Sequence, residues 1–266
     1  MRFVYFTKLL QDLDIPELIQ FCHQAGVDGV DLAVRPGHPV HPENVVKALP
    51  AAAAAFKAQG KVIGLVTAPA DMTDPASPQA RAIFEACSIA GVPAVKIGYF
   101  PYRGHFDIEL CEARARMASF ARLAEQTRVK ACYHTHSGGY LGNNAAGLRL
   151  LLADLNPHHV GAFLDTGHLA VGGGPIRMEI DMIRPWFSLL AIKDVLWQRR
   201  EDRWELRVVP VGEGMVRWPE VAAGLKAAGF RGTVSLHGEY ETSDRAERLR
   251  LAKLELERLR QALAAQ

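Results

Sequence analysis

The sequence predicts an α/β fold, a single-domain (β/α)8 TIM barrel that extends over residues 1–266. Three observations support this prediction. Strand-like apolar runs alternate with helical patterns eight times, several helical patterns end at a glycine just before the next strand, and no glycine-rich nucleotide-binding loop opens a helix. With 266 residues and 49% hydrophobic content, the chain is long enough to bury one large core.

The first four strand–helix units fill the amino-terminal half of the chain. Asp14 to Glu17 reads as a helix start, because an N-cap residue is followed by proline and glutamate in the first turn. Gly26 and Gly91 are expected to end the helices that precede the second and fourth strands. The predicted strands are 3–7, 29–34, 62–67 and 94–99, and the helices after the last three begin near Asn44, Pro78 and Glu109.

Four further units follow, with predicted strands at 129–135, 160–164, 189–193 and 233–237 and helices at 143–155, 176–186, 219–228 and from 244 onward.

Two loops are longer than the fold requires. The loop at 35–42 follows the second strand, and the loop at 197–215 follows the seventh and contains an alternating segment, 204–209, that indicates a β-hairpin. Both loops leave carboxyl ends of strands, so we expect them to cover a pocket there.

The composition argues against several classes of protein. The 31 basic and 29 acidic residues give a net charge of +2 without a basic stripe, so nucleic acid is not an expected partner. The four cysteines lie in apolar patterns without C-x-x-C spacing, so we expect reduced core thiols and a cytoplasmic location. Neither a signal peptide nor a membrane-spanning segment is expected, and hence no membrane partner.

Polar side chains that could carry chemistry collect at the predicted carboxyl ends of strands. The apolar run from Val160 ends at Asp165, with His168 three residues later; a purely structural interpretation makes these a loop start and a helix cap. Because side chains alternate along a strand, His134 with His136, and His237 with Glu239, are expected to face the same side. Histidine and carboxylate side chains that converge from several strands are what a divalent metal with nitrogen and oxygen ligands requires.

Basic residues also end apolar strands. Lys8, Lys96 and Lys193 follow such strands, and a lysine is costly to bury unless it meets an anion or has a lowered pKa. They therefore favour a substrate that bears a carboxylate, a phosphate or a developing enolate oxygen. The alternative is that these lysines form salt bridges inside the barrel mouth; the candidate partners are Asp31, Asp194 and Glu239.

Several blocks of sequence together carry a family resemblance. FLDTGH at 163–168, AIKD at 191–194, VGEG at 211–214 and GFRGTVSL at 229–236 resemble the sugar phosphate isomerase/epimerase group of xylose isomerase-like TIM barrels. More narrowly, the chain is similar to a branch with YFTK at 5–8, DLAVRPG at 31–37, HTHSG at 134–138 and HGEY at 237–240. The resemblance covers nearly the whole chain.

The resemblance implies a divalent metal ion held by Glu, Asp, His and Glu at four strand ends, with the two glutamates moving protons. Here those positions fall on His134, Asp165, Ala191 and His237, so only the aspartate matches in kind. A metal-bound imidazole cannot also act as a free base, so the two-glutamate proton exchange does not transfer directly. His134, Asp165 and His237 still form a two-histidine, one-carboxylate set, with Glu239 or His136 as a further ligand.

From this resemblance we expect a small-molecule carbohydrate substrate, a metal ion among Mn, Co, Zn and Mg, and a homo-oligomer. Glu239 is the expected general base, Lys193 stabilises an oxyanion, and His168 orients a substrate hydroxyl. The predicted substrate-binding residues are Lys8, Arg35, Lys96 and His136.

The function that these expectations favour is a metal-dependent sugar or keto-sugar isomerase/epimerase that abstracts a proton next to a carbonyl. A lyase or dehydratase on a related keto-sugar or sugar acid is an alternative, because the same enolate can expel a leaving oxygen. A metal-free sugar-binding or regulatory barrel is another, because the ligand positions at His134, Ala191 and His237 depart from the family pattern. An endonuclease-IV-like phosphodiesterase is less favoured, since the charge balance is even and the His/Glu/Asp set is small.

Overall fold

Eight parallel strands form a closed barrel in this computed structural model, which describes residues 1–172 and 174–264. The strands follow one another around the barrel in chain order, and the last pairs with the first through Thr233 and Arg2. The barrel strands are β1 Arg2–Phe6, β2 Gly29–Ala33, β3 Val62–Thr67, β4 Ala94–Lys96, β5 Lys130–His134, β6 Val160–Asp165, β7 Phe187–Ile192 and β10 Thr233–Leu236, while β8 Asp194–Arg200 and β9 Arg203–Val209 form an antiparallel hairpin. The predicted TIM-barrel fold class is confirmed.

Helices follow the strands around the outside of the barrel. The predicted capping box is present, because the Asp14 side chain accepts from the Glu17 backbone N–H at 2.9 Å and the Glu17 side chain accepts from the Asp14 backbone N–H at 3.0 Å. The helices are α1 Ile15–Ala25, α2 Val45–Ala58, α3 Pro78–Ala90, α4 Phe106–Thr127, α5 Ala145–Leu152, α6 Thr166–Gly172, α7 Ile176–Met182, α8 Trp218–Ala228 and α9 Arg245–Ala264. Within residues 1–172 and 174–264, no helix combines the length and apolar character needed to cross a bilayer.

The structure departs from the sequence predictions in a few places. Helix α6 was not predicted; it begins directly after β6 because Asp165 Oδ1 accepts the backbone N–H of His168 at 2.9 Å, as an N-cap does. The predicted helix 176–186 ends at Met182 and is followed by a short 3-10 turn that contains Pro185. Cys111 lies exposed on α4, unlike the other three cysteines, which are buried free thiols.

The barrel interior has an apolar floor below a polar mouth. The inner apolar cluster contains Cys132, Phe163 and Ala191, which are all fully buried. Side chains alternate along a strand, so the next inward-facing residues above these three are His134, Asp165 and Lys193. The alternation of side chains along the strands therefore places His134, Asp165 and Lys193 directly above the apolar cluster.

Asp194 holds the hairpin against the barrel. Its carboxylate accepts the backbone N–H groups of Gly212, Gly214 and Val216, at 2.9, 3.2 and 3.1 Å, and the indole N–H of Trp218 at 3.0 Å. A Cβ at Gly214 would lie 2.1 Å from Asp194 Oδ1, so the loop needs glycine there. Asp194 is thus a structural residue, and the alternative that it pairs with a lysine of the barrel mouth is wrong.

Two side chains of helix α9 form hydrogen bonds with the segments that follow the hairpin and β10. Glu255 on α9 accepts the backbone N–H of Val211 at 3.1 Å, just after the hairpin. Burial raises the pKa of Glu255 to about 7. Arg248, also on α9, donates to the carbonyl oxygen of Gly238 at 2.8 Å and so fixes the segment that follows β10.

Glu255→Gln is expected to change the pH dependence of stability. A carboxyl whose folded pKa lies above its unfolded value of about 4.3 stabilises the fold fully below that value and loses this contribution as the pH rises through about 7. The amide keeps an oxygen for Val211 and cannot ionise, so the variant should gain stability relative to the native chain between pH 5 and 8, by at most about 3 kcal/mol. Thermal unfolding at both pH values measures this, with the exposed Glu112→Gln as control; parallel pH curves for the native chain and Glu255→Gln would contradict it.

Candidate active site

A cavity of about 400 Å³ opens at the carboxyl ends of the barrel strands. Nine of the ten predicted site residues line it, and Asp165 lies beside its wall, 3.4 Å from both His134 and Lys193. Val208 of the hairpin and Arg35 of the 35–42 loop also line the cavity, as expected for loops that cover it. The lining residues are Phe6, Lys8, Arg35, Thr67, Ala70, Lys96, Tyr99, His134, His136, Tyr140, Phe163, His168, Lys193, Val208, His237 and Glu239.

Three buried side chains converge at the base of this cavity. His134 Nε2 lies 3.4 Å and His237 Nδ1 lies 3.8 Å from Asp165 Oδ2, and the two imidazole rings are parallel with centroids 5.7 Å apart. One possible ligand atom from each of the three lies within 4.8 Å of the others. In the described part of the chain, Asp165 Oδ2 and His134 Nε2 have no hydrogen-bond partner. Buried polar atoms without partners are costly, so this donor set fits a metal cation.

Tyr99 orients the first of these histidines. Its hydroxyl lies 3.2 Å from His134 Nδ1, and burial holds the pKa of His134 well below its usual value, so the ring is neutral near pH 7. When Nδ1–H donates to the Tyr99 oxygen, Nε2 presents a lone pair to the cluster. That is the state a metal-ligating histidine requires.

Asp31 contacts His237 from the other side. Its Oδ2 lies 3.5 Å from His237 Nε2, and its two oxygens accept from the hydroxyls of Thr67 and Ser235 at 2.7 and 2.9 Å. Burial alone would lower the pKa of His237, but hydrogen bonding to Asp31 and Glu239 outweighs burial and raises it. Asp31 therefore orients His237 so that Nδ1 faces Asp165, as a carboxylate behind a metal-ligating histidine does.

Lys193 joins two carboxylates and an imidazole. Its ammonium lies 2.7 Å from Glu239 Oε2, 3.4 Å from Asp165 Oδ2 and 3.2 Å from His168 Nε2. Burial would lower the pKa of Lys193, but Asp165 and Glu239 raise it above the ordinary value. The pKa of Asp165 is held well below its usual range because Lys193 and His168 outweigh the opposing effect of burial. All three charged groups stay ionised because each has its counter-charge.

Glu239 lies between two ammonium groups. It pairs with Lys193 and with Lys8, whose side chain is 42% exposed. Burial would raise the pKa of Glu239, but Lys193, His237 and Lys8 together lower it, so the carboxylate is ionised at neutral pH. The salt-bridge alternative is therefore confirmed for Lys8 and Lys193.

His168 is a neutral link between Lys193 and the loop after β5. Because an ammonium can only donate, His168 Nε2 accepts from Lys193, and Nδ1–H then donates to Ser137 Oγ at 2.9 Å. Burial lowers the pKa of His168 to about 3. His136 stacks on the same ring at 4.1 Å, and burial lowers its pKa as well.

Lys96 and Arg35 differ from the other basic residues of the cavity. Lys96 is 2% exposed, and over residues 1–172 and 174–264 neither its Nζ nor Arg35 Nε has a hydrogen-bond partner. The Lys96 ammonium lies 3.4 Å from the centroid of the Tyr99 ring. Burial and the Arg35 guanidinium lower the pKa of Lys96 well below its usual value. The salt-bridge alternative does not hold for Lys96.

Sequence reasoning missed part of the cavity wall. Asp31 was expected only as a partner of lysines, although a carboxylate inside the apolar run 29–34 is itself a signal of a buried polar contact. Tyr99 fell inside a predicted strand and carried no separate signal. Tyr140 and Thr67 reach the cavity through loop and strand geometry that no local pattern encodes.

A closed eight-stranded barrel with a polar cavity at the carboxyl ends of its strands defines a TIM barrel with the site placement typical of that fold. The family model described as "Xylose isomerase-like TIM barrel" matches residues 19–262. The chain belongs to this family. No functionally curated protein matches the chain significantly.

Solved structures of similar fold extend over nearly all of the chain. The apo 3-keto-D-glucoside 4-epimerase from E. coli is 16% identical with a TM-score of 0.77, and covers 98% of this chain and 99% of its own. The D-psicose 3-epimerase from Clostridium cellulolyticum H10 is 17% identical with a TM-score of 0.76, at 99% of both chains. The probable 3-DHS dehydratase from Bacillus anthracis is 14% identical with a TM-score of 0.72, at 98% of this chain and 99% of its own. At these identities the likeness shows the fold.

Lys193→Met is expected to destabilise the protein strongly, by about 3–5 kcal/mol, because Asp165 and Glu239 lose their shared counter-charge in a buried site. Lys8→Met is the matched control. It also removes an ammonium from Glu239, but the Lys8 side chain is 42% exposed, so we expect a loss below about 1 kcal/mol. Urea unfolding at pH 7 measures both free energies, and equal losses would contradict the assignment.

Proposed function

We propose that this protein is an enzyme, an isomerase or epimerase that acts on a carbohydrate by abstracting a proton next to a carbonyl group. The observation that carries the proposal is the pairing, at one cavity, of a His/Asp/His donor cluster with an ionised, half-buried carboxylate, Glu239. The donor cluster can polarise a substrate carbonyl through a bound cation, and the Glu239 carboxylate can accept the proton that this polarisation makes acidic.

The proposed ligands of a divalent metal ion are His134, Asp165 and His237, whose donor atoms are buried and lie within 4.8 Å of one another. Mn, Co, Zn and Mg are the candidate ions. When bound, such an ion supplies Lewis-acid polarisation of a substrate oxygen. His136, whose ring centroid lies 4.1 Å from that of His168, is a proposed further ligand.

Glu239 is the proposed general base, and its basicity depends on Lys193. In the free protein the two ammonium groups beside it lower its pKa, which makes it a weak base. A substrate oxygen that takes over a hydrogen bond from Lys193 removes part of this charge from Glu239. The carboxylate then becomes a stronger base once substrate is bound, and Lys193 stabilises the developing oxyanion.

The proposed reaction moves a proton between a substrate carbon and Glu239. Glu239 takes the proton from the carbon next to the carbonyl, and the C–H electron pair forms the C=C bond of an enediolate while the carbonyl oxygen gains the negative charge. Return of the proton to the former carbonyl carbon isomerises the sugar, while the hydroxyl proton of the carbon that lost its hydrogen moves to the former carbonyl oxygen. Delivery of a proton by a second acid or by solvent to the opposite face of the same carbon, while Glu239 keeps the first proton, epimerises the sugar. His168 is the proposed residue that orients a substrate hydroxyl, while Lys8, Arg35, Lys96 and His136 contact the rest of the substrate.

The names of the similar structures, two sugar epimerases among them, support a carbohydrate substrate. A lyase is the second candidate, favoured by the hydrogen bond between Lys193 and His168, because an ammonium relayed through an imidazole can protonate a leaving oxygen. A metal-free barrel is the third, favoured by the Lys193 ammonium, which lies 3.4 Å from the same Asp165 oxygen that a metal would use.

Metal binding can be tested by thermal unfolding, which does not require an activity assay. The purified protein, treated with chelator and dialysed, should show a raised melting temperature with at least one of Mn, Co, Zn and Mg, because a cation that binds only the folded chain stabilises it. Asp165→Asn keeps an oxygen for the His168 N–H but removes the charge, and should abolish this stabilisation. His158→Asn, exposed on the surface, is the control. No stabilisation by any of the four ions would favour the metal-free barrel.

Proton abstraction is tested by proton NMR of keto-sugars in deuterated water. The native protein should exchange the proton next to the carbonyl for deuterium without loss of water or aglycone. Glu239→Gln should slow this exchange by at least about a hundredfold, since it removes the base. Exchange accompanied by elimination would favour the lyase, and an unchanged rate in Glu239→Gln would remove Glu239 from its role.

A further inference from the structure

The basic residues of the cavity separate into two groups when each is matched to its counter-charge. Lys8 and Lys193 both pair with Glu239, and Lys193 also lies 3.4 Å from Asp165. The remaining carboxylate, Asp31, faces His237 and two hydroxyls. The carboxylates at the cavity are therefore all engaged, in the described ranges, by groups other than Lys96 and Arg35.

Lys96 and Arg35 are the basic residues of the cavity that have unpartnered nitrogen atoms. Both line the cavity, Lys96 is 2% exposed, and Lys96 Nζ and Arg35 Nε find no hydrogen-bond acceptor among the described residues. Their aromatic contacts, with Tyr99 at 3.4 Å and Phe6 at 5.8 Å, supply some electrostatic stabilisation but no acceptor. A buried ammonium without an acceptor is costly unless a ligand supplies one, and Arg35 Nε lines the same cavity with the same need.

We infer that Arg35 and Lys96 form an oxyanion subsite, so that the substrate is an anionic carbohydrate bearing a carboxylate or phosphate group away from the reacting carbonyl. The inference rests on the proposed function in placing this anion and the reacting carbon on one molecule. An oxyanion accepts from the Arg35 guanidinium and from the Lys96 ammonium at once, which a neutral hydroxyl does not match in strength. The low pKa of Lys96 agrees with a site that awaits a negative charge.

Charge arithmetic at the cavity agrees with this assignment. Four basic side chains, Lys8, Arg35, Lys96 and Lys193, line it. Three carboxylates, Asp31, Asp165 and Glu239, face them or the histidines. Counted with Lys96 protonated and the histidines left out, four positive and three negative charges leave a surplus of +1, to which a bound divalent cation would add. An anionic ligand neutralises this surplus, whereas a neutral sugar leaves it in place.

The test is calorimetric binding to the full chain, with three probes: inorganic phosphate, D-glucuronate, and D-glucose as the neutral counterpart of the second. The anions should bind at least about tenfold more tightly than D-glucose. Preference for phosphate or for glucuronate distinguishes a phosphate-bearing from a carboxylate-bearing substrate. Equal affinity for D-glucose and the two anions would overturn the inference.

Lys96→Met and Arg35→Met identify the residues. Each should weaken anion binding by about tenfold or more, and the exposed Lys57→Met should leave it within about twofold. Lys96→Met should at the same time raise the melting temperature, because it replaces an unpartnered buried cation with an apolar side chain. Unchanged anion affinity in both cavity variants would overturn the assignment.

Failure of this inference and failure of the proposed function give different results, because binding is measured without turnover. An enzyme that exchanges the proton of a neutral keto-sugar and ignores anions contradicts the oxyanion subsite alone. A protein that binds the anions through Lys96 and Arg35 but exchanges no proton in any sugar acid or sugar phosphate contradicts the proposed function alone.

Discussion

The ion network around Lys193 is the interaction on which the barrel mouth depends. Lys193 is the next inward-facing residue after Ala191, so its side chain lies directly above the apolar cluster of the barrel interior. At that depth a carboxylate stays ionised only beside a counter-charge, and Lys193 supplies one to both Asp165 and Glu239. His168 is held in one tautomer by the same ammonium. The charges of Lys193, Asp165 and Glu239 are thus fixed together, and removing Lys193 leaves both carboxylates without their shared counter-charge.

The fold could be predicted because its signals are local. Each strand is a short apolar run and each helix has a start or stop signal, as at Asp14 and Gly26, so the eightfold alternation is readable without any long-range information. Helix α6 could not be read in this way. Its seven residues, TGHLAVG, have weak helical propensity, and it forms because Asp165 caps it and the neighbouring β7 and β8 pack against it.

The location of the site could also be predicted, because parallel strands in a closed barrel must bring their carboxyl ends together. Which charged side chains pair with one another within the site could not be predicted. Lys96 and Lys193 each end an apolar strand, as VK and IK, yet the second meets two carboxylates and the first meets none within the described residues. The difference comes from which side chains the flanking strands and loops bring within about 4 Å, a property of the closed barrel that no local pattern contains.

The mouth therefore has two sides with opposite requirements. On one side Lys8, Lys193, Asp165 and Glu239 satisfy one another, so a ligand there must offer oxygen atoms that exchange with existing hydrogen bonds. On the Lys96 side, donors lack acceptors across the described residues, so a ligand adds bonds without breaking any. Under the proposed function, a molecule that spans the cavity would be held at the Lys96 side and would react at the Lys193 side. Binding free energy gained at Lys96 and Arg35 would then help to displace a Lys193 hydrogen bond from Glu239, which would make that carboxylate more basic.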